Sequence, residues 1–190
     1  MSIVALVLLT AIALVIVYGI MSYNSLVSVK HNVSKAWANI DVLLKQRHDE
    51  LPKLVEACKQ YMQFERETLE KVMQARAQVF NAREKQDIGA LGAAEGALRM
   101  GLGQLFAVAE AYPELKTNES FQQLLGRISG LENAIADRRE FYNESVNVNN
   151  VRIEQFPDLV IAGMFNFKAF DLLEFQAEEK QDVNITALFK

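Results

Sequence analysis

The chain is poor in cysteine, histidine, tryptophan and proline, and each scarcity excludes something. A single cysteine in 190 residues, Cys58, leaves no internal disulfide. Its apolar neighbours at helical spacing (Leu54, Val55, Tyr61 and Met62) make it a small buried hydrophobe rather than a reactive thiol. The two histidines, His31 and His48, are too few for the di-metal chemistry of helical bundles, and neither has a Glu three positions before it. No serine has a convincing triad partner, and His48 stands among Arg47, Asp49 and Glu50, the makings of a solvated helix face. No GK[ST] sequence exists, and the GLG at 101–103 follows no strand, so no phosphate loop is read. The net charge of −4 is mixed along the chain with no basic stripe, which leaves nucleic-acid binding unsupported. The resulting expectation is a protein that is not an enzyme and holds no metal and no cofactor.

Three prolines and nine glycines, with no Ser/Gly linker, favour long helices over strands with frequent turns. Glycines at 89, 92, 96, 101 and 103 cluster in one stretch, where close helix packing or a locally weak helix is the ordinary explanation.

What the sequence has in abundance comes first. Residues Ile3 to Met21 form nineteen consecutive uncharged residues, and everything charged lies after residue 21. As a helix rising about 1.5 Å per residue, this run reaches across the roughly 30 Å hydrocarbon layer of a bilayer. A cleaved signal peptide calls for a basic n-region, a shorter apolar stretch and a small-residue cleavage site. None of these is present, so the run is read as a retained single-pass anchor. Lys30 and Lys35 follow the span closely, and by the positive-inside rule the body leans cytoplasmic, with the other side left open. The expected divisions are an anchor at 1–22, a helical bundle at 23–156 and a phenylalanine-rich tail at 157–190.

Helical periods fill the body. Phe121, Leu124, Ile128, Leu131, Ile135, Arg138, Tyr142, Ser145, Asn149, Ile153 and Phe156 step by threes and fours along one seam. Asn118 is placed to cap that helix and Pro157 to stop it. A second seam follows the span through Leu26, Val33, Trp37, Ile40, Leu44 and Leu51, interrupted by Lys30 and Arg47. A third runs from Pro52 to about Arg83, and a fourth from Ile88 to about Ala111. Pro52 suits the first turn of a new helix, although a kinked continuous helix satisfies the same residues. The fold class expected is all-α: an N-terminal transmembrane helix followed by an antiparallel four-helix bundle with long helices. With a reversal at Leu51-Pro52, the segment after Phe156 would lie near the membrane end.

Polar residues within or beside these seams are the candidate site. Glu65, Arg76, Glu132, Arg138, Asn143 and Asn149 would form an inter-helix network, because a buried charge costs several kcal/mol unless it is paired. Glu65 or Glu132 should then meet Arg76 or Arg138. The tail concentrates Phe156, Phe165, Phe167, Phe170, Phe175 and Phe189, and it is expected to fold back, lie at the lipid interface or pack on another subunit.

Many short words in order resemble the LemA family of bacterial membrane-anchored helical proteins. They are Tyr23-Asn24-x-Leu26-Val27, Ala36-Trp37-x-x-Ile40-Asp41-Val42-x-Leu44-Lys45-x-Arg47 and Leu51-Pro52-x-Leu54-Val55, then Glu65 and Ala75-Arg76. After these stand Ala111-Tyr112-Pro113-x-Leu115-Lys116-x-Asn118-x-x-Phe121, Glu132, and Tyr142-Asn143-x-x-Val146 through Asn150 to Phe156-Pro157. Two departures stand out: Asn149 replaces a tyrosine of the family pattern, and Asn166 replaces the glycine of a Phe-Gly-Phe. The resemblance implies an N-terminal anchor in the bacterial inner membrane and a four-helix bundle, and names no catalytic residues. The function expected is a membrane-anchored scaffold or organiser, working through helix faces and tail as a homo-oligomer or with other membrane proteins. A ligand-binding or sensory bundle is the alternative.

Overall fold

A computed structural model describes residues 2–62 and 65–174. Among these residues the chain is all-helical, with no strand. The elements are α1 (Ile3–Lys59), α2 (Arg66–Glu84), α3 (Ile88–Ala109), α4 (Pro113–Lys116), α5 (Glu119–Glu154) and α6 (Asp158–Met164). Phe175 and Phe189 of the tail lie outside the described residues.

The helix after the membrane run does not stop at Pro52. Helix α1 carries Pro52 in its interior and ends only at Lys59, so the kinked-or-continuous alternative holds and the reversal moves to the residues before α2. The physical reason lies across the helix. Proline lacks the N–H that would bond to the carbonyl of His48, four residues earlier. Arg76 of α2 supplies a donor instead, its Nε reaching the His48 carbonyl at 2.9 Å. The break in helix hydrogen bonding is thus repaired from outside.

The chain forms two compact units: Met1–Ile40 with Arg138–Leu172, and Asp41–Asp137 with Leu173–Lys190. Helices α1 and α5 each contribute a part to both.

In the first unit, Leu26, Val33, Ala36 and Ile40 of α1 are buried, as are Tyr142 and Val146 of α5. Trp37 meets Tyr142 edge-on with ring centroids 5.8 Å apart, while Arg152 donates to Ser25 Oγ at 2.9 Å. Rising numbers on α5 therefore meet falling numbers on α1, so these two stretches run antiparallel.

In the second unit, Leu44, Leu51, Leu54, Val55 and Cys58 of α1 are buried at the spacing of one helix face. Arg83 of α2 grips Asp41 with both Nε (2.6 Å) and Nη2 (2.8 Å), a bidentate ion pair. Helix α2 ends in a Schellman motif, in which Asp87 N–H bonds to Ala82 O and Gln86 N–H to Arg83 O. Asp87 then caps α3 by accepting from Ala90 N–H at 2.9 Å. Asn118 caps α5 as its spacing predicts, accepting from Phe121 N–H at 3.0 Å.

Two of the clustered glycines have close neighbours. A Cβ on Gly101 would sit 3.4 Å from a Val72 methyl, so α2 and α3 approach closely there. A Cβ on Gly92 would fall 2.0 Å from the Glu174 carbonyl oxygen, so the chain near its C-terminus lies directly on α3 where no side chain stands. Leu173 beside it is buried.

Candidate functional site

Among the described residues, three gatherings of charged and polar side chains stand out inside the fold. In the second unit, Arg47 sits between Leu44 and Leu51 on the buried face of α1 and is itself buried. It pairs with Glu95 of α3, also buried, and with Glu132 of α5 at 2.6 Å. Burial disfavours the guanidinium charge, but the two carboxylates outweigh it and hold Arg47 above its usual range. Nearby Glu50 accepts from Arg127 at 2.5 Å and Lys53 at 3.2 Å. The pairing expected for Glu132 is thus made with Arg47 rather than with Arg76 or Arg138.

Arg76 serves His48 and the proline gap. Besides the carbonyl, its Nη2 lies 2.6 Å from His48 Nε2, which must then accept. Burial and the neighbouring guanidinium push the His48 pKa down, favouring the neutral ring. Phe80 packs against it with centroids 4.8 Å apart. Glu65 stands at the N-cap of α2 without making a side-chain cap.

The third gathering belongs to the first unit. Asp158, at the start of α6, is buried, and its carboxylate accepts from Ser22, Arg152 and Tyr18. The Ser22 hydrogen bond above all, with the Arg152 pair, holds this carboxyl below the usual range against the opposing effect of burial. A side-chain methyl of Ile161 lies 3.9 Å from where a Gly19 Cβ would stand, so α6 rests on the last turn of the apolar run.

The segment after α6 is held by its backbone. Asn150 donates to Phe170 O at 2.9 Å and accepts from Phe170 N–H at 3.0 Å. Asn149, buried, donates to Lys168 O, and Tyr142 donates to Asp171 O at 3.0 Å. Asn149, which stands where the family pattern has a tyrosine, thus ties the tail to α5. Phe165 and Phe167 both pack on Tyr23, at 4.7 and 5.9 Å. Asn166 between them has φ +55°, the left-handed region where asparagine is the best substitute for glycine. Phe156 is exposed, Phe170 half-buried, Arg138 exposed and Asn143 half-buried.

Sequence reasoning missed Arg47, Glu95, Asp158 and Arg152 as members of buried pairs. Glu95 lies on the stripe of Leu91, Leu98, Leu102 and Leu105, so its phase gave the signal. Asp158 gave none, because its partner Ser22 is brought to it only by folding.

The buried polar groups described above act through ion pairing and hydrogen bonding. Among the described residues no three His, Cys, Asp or Glu side chains gather as metal ligands would. Cys58 is buried, and burial pushes its thiol up to about 11. Two open cavities of about 570 and 610 Å³ lie by Pro52, Met62 and Leu69 in the second unit and by Tyr23, Lys30 and Phe170 in the first. None of the six inter-helix polar candidates lines either.

The family model described as LemA matches residues 36–186. The chain belongs to the LemA family. The curated LemA-like relatives it matches include magnetosome proteins MamQ 1 and MamQ 2 of Paramagnetospirillum magneticum, each 23% identical over 172 residues. MamQ of Magnetospirillum gryphiswaldense is equally similar, at 23% identity. Each alignment covers 78% of this chain and 63% of the relative, so the chain spans less than two thirds of those proteins. Their names refer to the magnetosome and denote no enzyme. For this LemA protein, α1 supplies one helix long and apolar enough to cross a membrane, and none of its apolar window is buried inside the molecule. A core helix of a soluble domain would be covered.

Proposed function

We propose that this LemA protein is a non-enzymatic, membrane-anchored organiser that self-assembles through exposed helix faces. The observation that carries the reading is a stripe on α5. Phe141, Val148 and Val151, spaced by seven and three, are 42–51% exposed on a helix whose opposite side is already packed. A long apolar stripe outside the membrane run is what a partner helix covers. The antiparallel four-helix bundle fits the pairings of the second unit, where α1 meets α2, α3 and α5 through Asp41–Arg83, Arg47–Glu95 and Arg47–Glu132. The tail belongs to this proposal as a contributor to assembly. Lys30 and Lys35 favour a cytoplasmic body in a bacterial inner membrane.

The test is the mass of the full-length protein extracted gently from its native membrane. A multiple of the chain mass is expected, falling to that of one chain in Phe141→Glu/Val148→Glu with helicity unchanged. A wild-type particle of one chain, or a double variant that assembles like wild type, sinks the proposal.

A further inference from the structure

Among the described residues, the apolar face of α6 has no partner. Leu159, Val160 and Met164 are 50–73% exposed, and Phe156 before them and Phe165 after them are exposed as well. Five large apolar groups so close together on one surface need a cover.

Three observations decide what covers them. The first is position. Tyr18, Gly19 and Ser22 of α1 are the residues α6 touches, through Asp158 and Ile161. The nineteen-residue apolar run is about 28 Å long as a helix and ends at Met21. Helix α6 therefore sits at the level where the hydrocarbon layer gives way to headgroups. The second is charge. From Phe156 to Phe167 the only ionisable side chain is Asp158, and it is turned inward and held by Ser22 and Arg152. The one group that would bar the segment from lipid is thereby hidden. The third is the flank. Lys168, exposed, follows the apolar segment directly, and Lys30, exposed, lies one to two turns beyond Tyr23 on α1. Both border the same cavity, on the side away from the apolar run. Basic groups in that position meet anionic headgroups.

We infer that α6 is a second membrane contact: its apolar face lies in the same leaflet from which α1 emerges, flanked by Lys30 and Lys168 at the headgroups. The occupant is the bilayer itself, entered only to the depth of one amphipathic face. This rests on α1 spanning the membrane and is independent of self-assembly. Two contacts with one leaflet fix the tilt and rotation of the first unit, which a lone spanning helix leaves free.

Spin labels attached to single added cysteines test this in full-length protein reconstituted into vesicles of neutral and anionic phospholipid. Buried Cys58 stays in place, since its thiol is inaccessible. Leu159→Cys and Val160→Cys are compared with Leu9→Cys in the span and Glu140→Cys on exposed α5. Each label is read by collision with oxygen, which concentrates in lipid, and with a water-soluble nickel chelate. The expected result is that the α6 labels resemble Leu9, with oxygen contact exceeding nickel contact several-fold. Nickel contact like that of Glu140, with Leu9 still in lipid, overturns the inference and leaves the anchor intact. Shielding from both reagents also overturns it, because protein rather than lipid would then be the cover. Nickel access at Leu9 itself would remove the anchor and the inference together.

Discussion

Pro52 removes one hydrogen bond from α1, and Arg76 restores it from the neighbouring helix. The carbonyl of His48 would otherwise be unpaired where α2 packs over it, at a cost of about 1–3 kcal/mol. Arg76→Met is therefore expected to destabilise the protein by about that amount in chemical denaturation. In a Pro52→Ala background, where residue 52 again carries an N–H, the same substitution should cost roughly 1 kcal/mol less. Equal costs in both backgrounds would refute the repair. The His48 ring gives a separate readout. Burial and the Arg76 charge hold its pKa down, so removing Arg76 should move its titration upward, toward the ordinary value of about 6.5, in an NMR pH series. Arg47 illustrates how a residue can be seen on a seam and its burial still go unread. Its position between Leu44 and Leu51 marked it as an interruption of a seam, yet its neighbours looked solvated. Glu95 and Glu132, from helices that begin some forty and seventy residues later, make its burial tolerable.

At the scale of the helix, termination is where stability is easiest to improve. Gln86 closes α2 with φ +53°, a conformation that costs an L-residue with a side chain roughly 1–2 kcal/mol. Gln86→Gly should raise stability by about 1 kcal/mol, measured as a higher denaturant midpoint with the same slope. No gain, or a loss, would mean that the glutamine side chain contributes something its backbone position does not reveal. Element ends also show what the sequence made legible. Helix α5 was readable almost residue by residue, because its apolar period, its Asn118 cap and Pro157 agree. The end of α1 was not. Proline is favoured at a helix start and disfavoured inside, so local rules point to Leu51-Pro52, whereas the chain turns after Lys59 among residues with no strong turn signal. The repairing arginine lies 24 positions away, beyond the reach of any local rule. In the same way, Asn149 was legible as a polar interruption in a seam, but its partner, a backbone carbonyl of the tail, carries no sequence mark.

For the molecule as a whole, acid is the informative stress. Asp158 has its carboxyl pKa held below the unfolded value of about 3.9, so the folded state favours the ionised form. Its contribution is present in full above about pH 4 and disappears as pH falls through the still lower folded value. Asp158→Asn should lower stability by about 1.5–3 kcal/mol at neutral pH. The gap to wild type should narrow progressively as pH falls below about 4, measured by thermal unfolding of full-length protein in mild detergent. A gap independent of pH would show that shape, not charge, is what the site requires. The packing of Glu174 over Gly92 also has a consequence in the order of synthesis. The seat on α3 is made about eighty residues before its occupant, and at roughly 5–20 residues per second it waits for several seconds. During that interval the apolar run of α1, already made, is free to enter the bilayer. The contact of Glu174 with α3 thus forms only after the apolar run has had that time.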